Sequence, residues 1–377
     1  MTLSPTAPSP IIVVGAGIIG ATIAFQLARH GAPVTVIEAG QPGRGATAAS
    51  LAWINGRDKN PRHYHDLNRR SLDIWPRLAR QLGDAVDLTW GGELRWAATP
   101  VGGETLRQRV HTLQGWGYPI RLLEAEALPA LEPALATGPL SAASYTPIDG
   151  HVDTGKVIAA CLAGAAERGA VIHRHTKVTG LKLAPTNDGR RRVEAVRVTG
   201  DELPCQAVVL AAGPDTPELA TLAGLTVPVQ HTFGATVITE PLPQLFQTAA
   251  VIHTPHDREP QLAIRQLAGG ELMIHAGSAA GSLGRSDEEV AQIMPAAARF
   301  FPALAGVAVK EVRRARRPIP QDGQPIIGFT APLPNLYLAA MHSGVSLAAL
   351  VGEFAAIEIV DGVKVDLLEP FRLERFG

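Results

Sequence analysis

The run Ile11-Ile12-Val13-Val14, followed at once by Gly15-Ala16-Gly17-Ile18-Ile19-Gly20, leaves few folds open to this chain. A β-branched strand, a G-x-G-x-x-G turn and a helical pattern over residues 21–30 stand in the order that a dinucleotide-binding βαβ unit requires. Gly15 permits the tight turn, Gly17 lets backbone approach a pyrophosphate, and Gly20 lets the helix pack on the strand. The helix start adds free N–H groups and a partial positive charge for the phosphates. A second apolar strand, Val34–Ile37, ends in Glu38, where a carboxylate can accept hydrogen bonds from ribose hydroxyls. The whole register, and not the glycines alone, predicts a bound dinucleotide.

A chain of 377 residues is too long for one simple core and suits two domains, interleaved if the grammar alternates. Its 34 basic and 35 acidic residues give a net charge of -1, which leaves no electrostatic footprint for nucleic acid or an anionic membrane surface. Cys161 and Cys205 both sit in apolar segments, so they are expected to be small core residues in a reducing, cytoplasmic setting. Residues 11–25 are apolar enough to mimic a signal sequence or a membrane span. No basic segment precedes them, and Gln26 and Arg29 end the run too soon, so no span is expected. Residues 1–10, rich in Pro, Ser and Thr, read as a disordered leader.

Beyond Glu38, residues 39–50 form a loop of small side chains that lets backbone amides come close to a ligand, with Arg44 in reach of a phosphate or ribose; a flexible surface loop is the alternative. Residues 64–82 carry helical apolar spacing at Leu67, Leu72, Trp75, Leu78 and Leu82. From Asp84 to about Thr146 the character changes to short strands, at 86–90 and 93–97, with little helical pattern. A helix over 154–168 with Gly169 beyond it, a strand over 170–173, a hairpin over 180–201 around Asn187-Asp188-Gly189, and a buried strand over 207–213 restore the strand-helix-strand grammar. Residues 226–309 return to strand-like runs with one helix near 288–300. The last section passes Arg313, Arg314, Arg316 and Arg317, then the strand Leu336–Ala340, His342-Ser343-Gly344, and an apolar helix over 345–360 that carries Glu353 and Glu358 and so belongs to a core. The order nucleotide unit, sheet unit, nucleotide unit, sheet unit, nucleotide unit places one domain at 9–83, 146–225 and 310–371, and the other at 84–145 and 226–309. The histidine pairs His63/His65 and His173/His175 lack a third ligand, so no metal is expected and exposed strand or loop positions account for them. No G-x-S-x-G elbow is present.

The fingerprint, the small-residue loop, the Val-Val-Leu-Ala-Ala-Gly strand at 208–213 and the His-Ser-Gly entry to the last helix together resemble the D-amino-acid oxidase family of flavoproteins, the group of the glycine and sarcosine oxidases. The resemblance covers about residues 9–362. It implies an α/β fold in which a Rossmann-like FAD-binding domain is interleaved with an α+β substrate domain on a largely antiparallel sheet. It also implies FAD held non-covalently, because the cysteine that flavinylated members carry near residue 317 is absent. By the resemblance Gly15, Gly17, Gly20 and Glu38 hold the ADP half, Arg44, Thr47 and Ser50 follow the pyrophosphate, Val178 meets adenine through its backbone, and Gly213 lies beside the cofactor. Ile18, Ile19, Ala39, Ala49, Ala212, Gly344, Val345 and Ser346 complete the expected contacts, together with Arg317. Arg317 matches the arginine that clamps a substrate carboxylate, while a solvated strand face or basic patch remains the other reading of that arginine cluster. His342 stands in the turn before the last helix, whose N-terminus would stabilise charge on the flavin, and could orient substrate or serve structure. Trp53, Asn55, His231 and Arg265 are candidate pocket residues or ordinary core and surface. The implied activity is oxidation of an amino acid or secondary amine at its C–N bond, with electrons passed to dioxygen, a quinone or a partner subunit. A 2-hydroxy-acid dehydrogenase and a non-catalytic flavin-binding subunit are the rivals.

Overall fold

The computed structural model describes residues 9–377 apart from 84–85, 125, 256, 258–259 and 278–285. Most of the expected leader, at 1–8, and the expected start of the sheet unit at Asp84 lie outside the described residues. The fold is α/β. A six-stranded sheet runs in the order Ile326–Phe329, Leu336–Ala340, Ala207–Leu210, Ile11–Val14, Val34–Ile37, Val171–His173. All neighbours are parallel except the edge strand Ile326–Phe329. The central strands are apolar without alternation because both faces are covered. Val13, Val36 and Val209 pack under the helices Ile18–Arg29, Arg62–Gln81, Thr154–Ala166 and Gly344–Ala356. Ile12, Val14, Val208 and Leu210 face the opposite way, onto the antiparallel sheet of Val178–Pro185, Arg191–Val198 and Asp201–Pro204.

The second large sheet has eight strands, in the order Val309–Pro320, Val229–Thr239, Leu272–Gly277, Gln261–Gln266, Val251–His253, Glu93–Ala97, Ala142–Thr146, Arg121–Leu123. Val251–His253 runs parallel to Glu93–Ala97. The strand Val309–Pro320, grouped from residue 310 with the nucleotide unit by its sequence, pairs along its length with Val229–Thr239 and so belongs to this sheet. Trp53–Ile54, Gly150–His151 and Thr89–Trp90 form a small antiparallel sheet of their own.

Local differences from the sequence reading have identifiable causes. Residues 84–146, expected to have little helical pattern, contain the helix Pro100–Gly115. Its start signal is Thr99, whose Oγ1 accepts from the Gly102 amide at 3.1 Å, followed by Pro100 at the first helical position. Gly102 and Gly103 and the exposed Val101 dilute its apolar stripe, which reduces to Leu106, Val110 and Leu113. The expected helix near 288–300 is two short ones, Asp287–Ala291 and Ile293–Ala298, since Pro295 has no N–H to continue a single ladder. No helix among the described residues is long and apolar enough to cross a membrane.

Candidate active site

A cavity of about 600 Å³ opens along the carboxyl ends of the parallel strands, the position where open α/β sheets bind ligands. One end is built mainly from backbone. Gly15 has φ +100°, and a Cβ on it would stand 2.6 Å from the Ala211 carbonyl oxygen. A Cβ on Gly20 would stand 1.9 Å from the Gly15 oxygen, so the turn tolerates no side chain at either place. The helix Ile18–Arg29 begins at Gly17, which offers no side-chain cap of its own, and beyond the Ile18 amide its first turn is left to a ligand. Glu38 accepts from the Ala16 and Gly40 amides, each at 2.8 Å, which fixes its carboxylate beside the turn. Thr47 Oγ1 accepts from the Ile18 amide at 3.3 Å, and Ser50 Oγ from the Ala52 amide at 3.0 Å, drawing the small-residue loop over the cavity. An elongated anionic dinucleotide fits this set: bare turn amides, a positioned carboxylate and a loop without bulk.

The other end is crowded with titratable side chains. Within the arginine cluster, Arg313 pairs with Glu311 at 2.7 Å, Arg314 with Asp287 and Arg316 with Asp215. Arg317 has no carboxylate partner among the described residues. Its Nη2 donates to the Phe233 carbonyl at 2.9 Å, its Nη1 stands 3.5 Å from His275 Nε2, and its Nε is buried without a partner. His275 Nδ1 shares a 3.0 Å hydrogen bond with Thr236 Oγ1, which donates to the Ala49 carbonyl at 2.7 Å. Burial and the Arg317 and His253 charges bring the His275 imidazole down to about 4. Burial, then Lys59, Arg317 and His275, take His342 down to about 3. Both rings are neutral at pH 7.

The helix Gly344–Ala356 starts at Ser343, which offers no side-chain cap, so this second helix N-terminus is also open to the cavity. Ser346 anchors it. Its Oγ accepts from the Asn55 amide at 3.2 Å and donates to the Trp53 carbonyl at 3.0 Å. Its carbonyl accepts from Ser71 Oγ at 2.6 Å and Trp75 Nε1 at 3.1 Å. Behind the cavity wall lies a buried ionic layer. Arg57 and Glu93 pair with both side chains fully buried, and Glu93 also takes Arg95 at 2.9 Å and stands 3.0 Å from His253. Although burial opposes it, the Arg57 and Arg95 charges hold Glu93 down at about 2. Asp149 accepts from Trp53 Nε1 at 3.0 Å and from the Tyr118 hydroxyl, orienting the Trp53 indole over the cavity. Burial and the nearby Glu93 push Asp149 up to about 8.

Gly15, Gly17, Ile18, Ile19, Glu38, Arg44, Thr47, Ala49, Ser50, Ala212, Gly213, Arg317, His342, Gly344, Val345 and Ser346 all line this one cavity. Gly20, Ala39 and Val178 do not: Gly20 sits behind the turn and Val178 is buried in the hairpin sheet. Trp53 and Asn55 line it as well, whereas His231 is exposed and Arg265 is buried elsewhere, donating to His151 and the Val152 carbonyl. His63 and His65, expected on a strand or loop, lie on the helix Arg62–Gln81, and His65 is buried against the Gly56 carbonyl at 2.7 Å because that position falls on the helix's inner face. Lys59, His253 and His275 line the cavity without having been singled out. The continuous apolar run of the strand Leu272–Gly277, interrupted at His275, is the one signal that could have found any of them. Among the described residues no cluster of three or more His, Cys, Asp or Glu is placed to hold a metal, and neither cysteine lines the cavity.

The sequence profile of the FAD dependent oxidoreductase family matches residues 10–356. Glycine oxidase of Geobacillus kaustophilus (strain HTA426) is 28% identical over 377 residues, covering 97% of this chain and 96% of that protein. An opine oxidase subunit of Agrobacterium tumefaciens (strain Ach5) is 29% identical over 380 residues, with the same shares of 97% and 96%. The crystal structure of the Geobacillus kaustophilus glycine oxidase superposes with a TM-score of 0.86 at 26% identity, covering 98% of this chain and 99% of that one.

Proposed function

Because the chain belongs to the family of FAD dependent oxidoreductases, we propose that its cavity oxidises an amino acid or secondary amine at the C–N bond. The observation that carries this reading is the state of Arg317. Of the four arginines from 313 to 317 it alone has no carboxylate partner among the described residues, and it faces the cavity. A planar guanidinium left unpaired in a part-buried site is matched to a substrate carboxylate, which it grips through two parallel hydrogen bonds. That grip would fix the α-carbon in one orientation.

FAD, held non-covalently, supplies the hydride acceptor for the α-carbon. Gly15, Gly17, Glu38, Thr47 and Ser50 would hold its ADP half, with Arg44 beside the pyrophosphate, and Gly344, Val345 and Ser346 its reactive end. The open N-terminus of the helix Gly344–Ala356 would offer a partial positive charge to the negative charge that develops on the flavin on reduction. His342 and His275 are neutral and act as polar walls, so no side-chain base is invoked and the amine enters deprotonated. The resulting imine would be released to hydrolysis by water, and dioxygen, a quinone or a partner subunit would accept the electrons.

In domain terms, residues 9–83, 146–225 and the part of 310–371 beyond the long strand form the cofactor unit. Residues 84–145 and 226–309, with that strand, form the substrate unit, and its sheet, whose strand pairings are largely antiparallel, would roof the reactive end. The test is an anaerobic spectral screen of the yellow protein against D-, L- and N-alkyl amino acids. Bleaching of the flavin band by such amines is expected. Bleaching by 2-hydroxy acids alone would replace this reading with the hydroxy-acid one, and no bleaching by either class would leave a flavin-binding subunit. Peroxide release under air separates dioxygen from the other acceptors.

A further inference from the structure

We propose that His275 is the positioning residue of the carboxylate clamp: its ring, locked in one tautomer by Thr236, presents a neutral acceptor that aims the Arg317 guanidinium without neutralising it. This rests on the reading of Arg317 given above and adds how that side chain is kept ready. Thr236 and His275 are direct cross-strand partners in the antiparallel pair of Val229–Thr239 and Leu272–Gly277, and Thr236 is buried. Its hydroxyl has a single hydrogen, which goes to the Ala49 carbonyl at 2.7 Å, a group that can only accept. Toward His275 Nδ1, at 3.0 Å, Thr236 Oγ1 is therefore left as the acceptor, and Nδ1 carries the ring hydrogen. In a neutral imidazole that puts the lone pair on Nε2, the atom 3.5 Å from Arg317 Nη1. Burial and the Arg317 and His253 charges keep the ring neutral, whereas a protonated ring would set a second donor against the guanidinium.

The donors thus run one way, from Arg317 through His275 and Thr236 to Ala49 in the small-residue loop. Arg317 leaves its strand opposite Thr232 and reaches His275 by lying across Gly234, where a Cβ would stand 3.0 Å from its Nε. Its neighbours show the other way of holding an arginine. Carboxylates fix Arg313, Arg314 and Arg316, and the same contacts offset their charge. Arg317 is fixed by the Phe233 carbonyl at 2.9 Å and by His275, both uncharged. Orientation is gained, and the positive charge stays available to an incoming anion.

The test uses FAD-loaded enzyme at neutral pH and two readouts. One is acetate binding, followed by perturbation of the flavin spectrum. The other is anaerobic flavin reduction by the fastest-reducing amino acid of the screen, resolved into its Kd and limiting rate. His275→Gln keeps a carbonyl oxygen near the place of Nε2 and should weaken acetate by less than about threefold, whereas His275→Asn reaches only the place of Nδ1 and should weaken it roughly tenfold. Thr236→Val removes the acceptor that selects the tautomer and should cost about as much as His275→Asn, with Thr236→Ser restoring binding. His275→Glu holds the guanidinium but cancels its charge, so its loss should be the largest of the set, roughly a hundredfold. Each loss should fall on Kd, with limiting rate and flavin content changed by less than about twofold. Equal binding by His275→Gln and His275→Asn, unchanged binding in Thr236→Val, tight binding by His275→Glu, or losses shared by limiting rate and flavin content would overturn the positioning role while leaving the Arg317 clamp standing. Each contrast decides by itself, so a single variant that fails to fold leaves the others to do so. Acetate binding that survives Arg317→Ala would overturn the clamp, and the role of His275 with it.

Discussion

The two ends of the cavity are made by different means. At the end near Glu38 the working groups are mostly backbone: amides of the glycine turn, a helix start whose cap residue has no side chain, and one carboxylate held by two N–H groups. At the end near Arg317 they are side chains, delivered by the segment around Trp53 and Lys59 and by strands carrying His253, His275 and Arg317, and backed by a buried ionic layer. A backbone site needs only the correct local geometry and is encoded in a few adjacent residues. A side-chain site depends on long-range register, so its charges are balanced by residues on other elements, as Arg57 is by Glu93, Arg314 by Asp287 and Arg316 by Asp215.

If that contrast is sound, the largest effect should follow from placing one Cβ in the turn. Gly20→Val would put that atom 1.9 Å from the Gly15 oxygen, and the variant should emerge without flavin or unfolded, as read by the 450 nm band per protein and by thermal unfolding. Stoichiometric FAD in Gly20→Val would show that the turn has more slack than its geometry allows. Glu93→Gln comes next: it leaves Arg57 buried without a counter-charge and should cost about 3–5 kcal/mol in denaturant unfolding, although residue 93 touches no part of the nucleotide turn. A loss below about 1 kcal/mol would mean the ionic layer is not what holds that wall. Arg317→Ala should lower kcat/KM by about 2–4 kcal/mol in transition-state terms, chiefly through KM, with flavin content unchanged. Turnover of every carboxylate substrate at the original efficiency would remove the clamp.

The smallest effect tests the neutral walls. His275 and His342 have pKa values lowered to about 4 and about 3, so each gains charge only when pH falls through those values. Binding of a simple carboxylate of low pKa, followed by flavin perturbation, should therefore change by less than about twofold between about pH 7 and 5.5. A sharp tightening over that interval would place a protonated histidine beside the anion and redraw the reactive end.

The same contrast explains what could be read from the chain. The strands Ile11–Val14 and Val34–Ile37, the glycine turn and Glu38 were legible because periodicity, turn chemistry and spacing all act within thirty residues or so. The strand Leu336–Ala340 and the helix after it were legible as apolar runs. Arg317 stood out only through resemblance, since nothing local separates it from Arg313, Arg314 or Arg316; the difference lies in Glu311, Asp287 and Asp215, which neutralise the others. Lys59 was invisible for a related reason, because a lysine after Gly56-Arg57-Asp58 reads as a solvated turn until Arg95 and Arg109 take up Asp58. The helix Pro100–Gly115 was hidden by its own glycines, and the partner of Val309–Pro320 was hidden because strand pairing is decided by a segment some eighty residues earlier.

Ser346, bonded to Trp53, Asn55, Ser71 and Trp75, joins the last tenth of the polypeptide to its first fifth. During synthesis the glycine turn leaves the ribosome long before its counterpart exists, and domains assemble as their segments become available. The cavity lacks the wall formed by Gly344, Val345 and Ser346 until the helix Gly344–Ala356 has emerged and docked. A polypeptide that stops short of this helix therefore keeps the glycine turn but leaves the cleft open on one side.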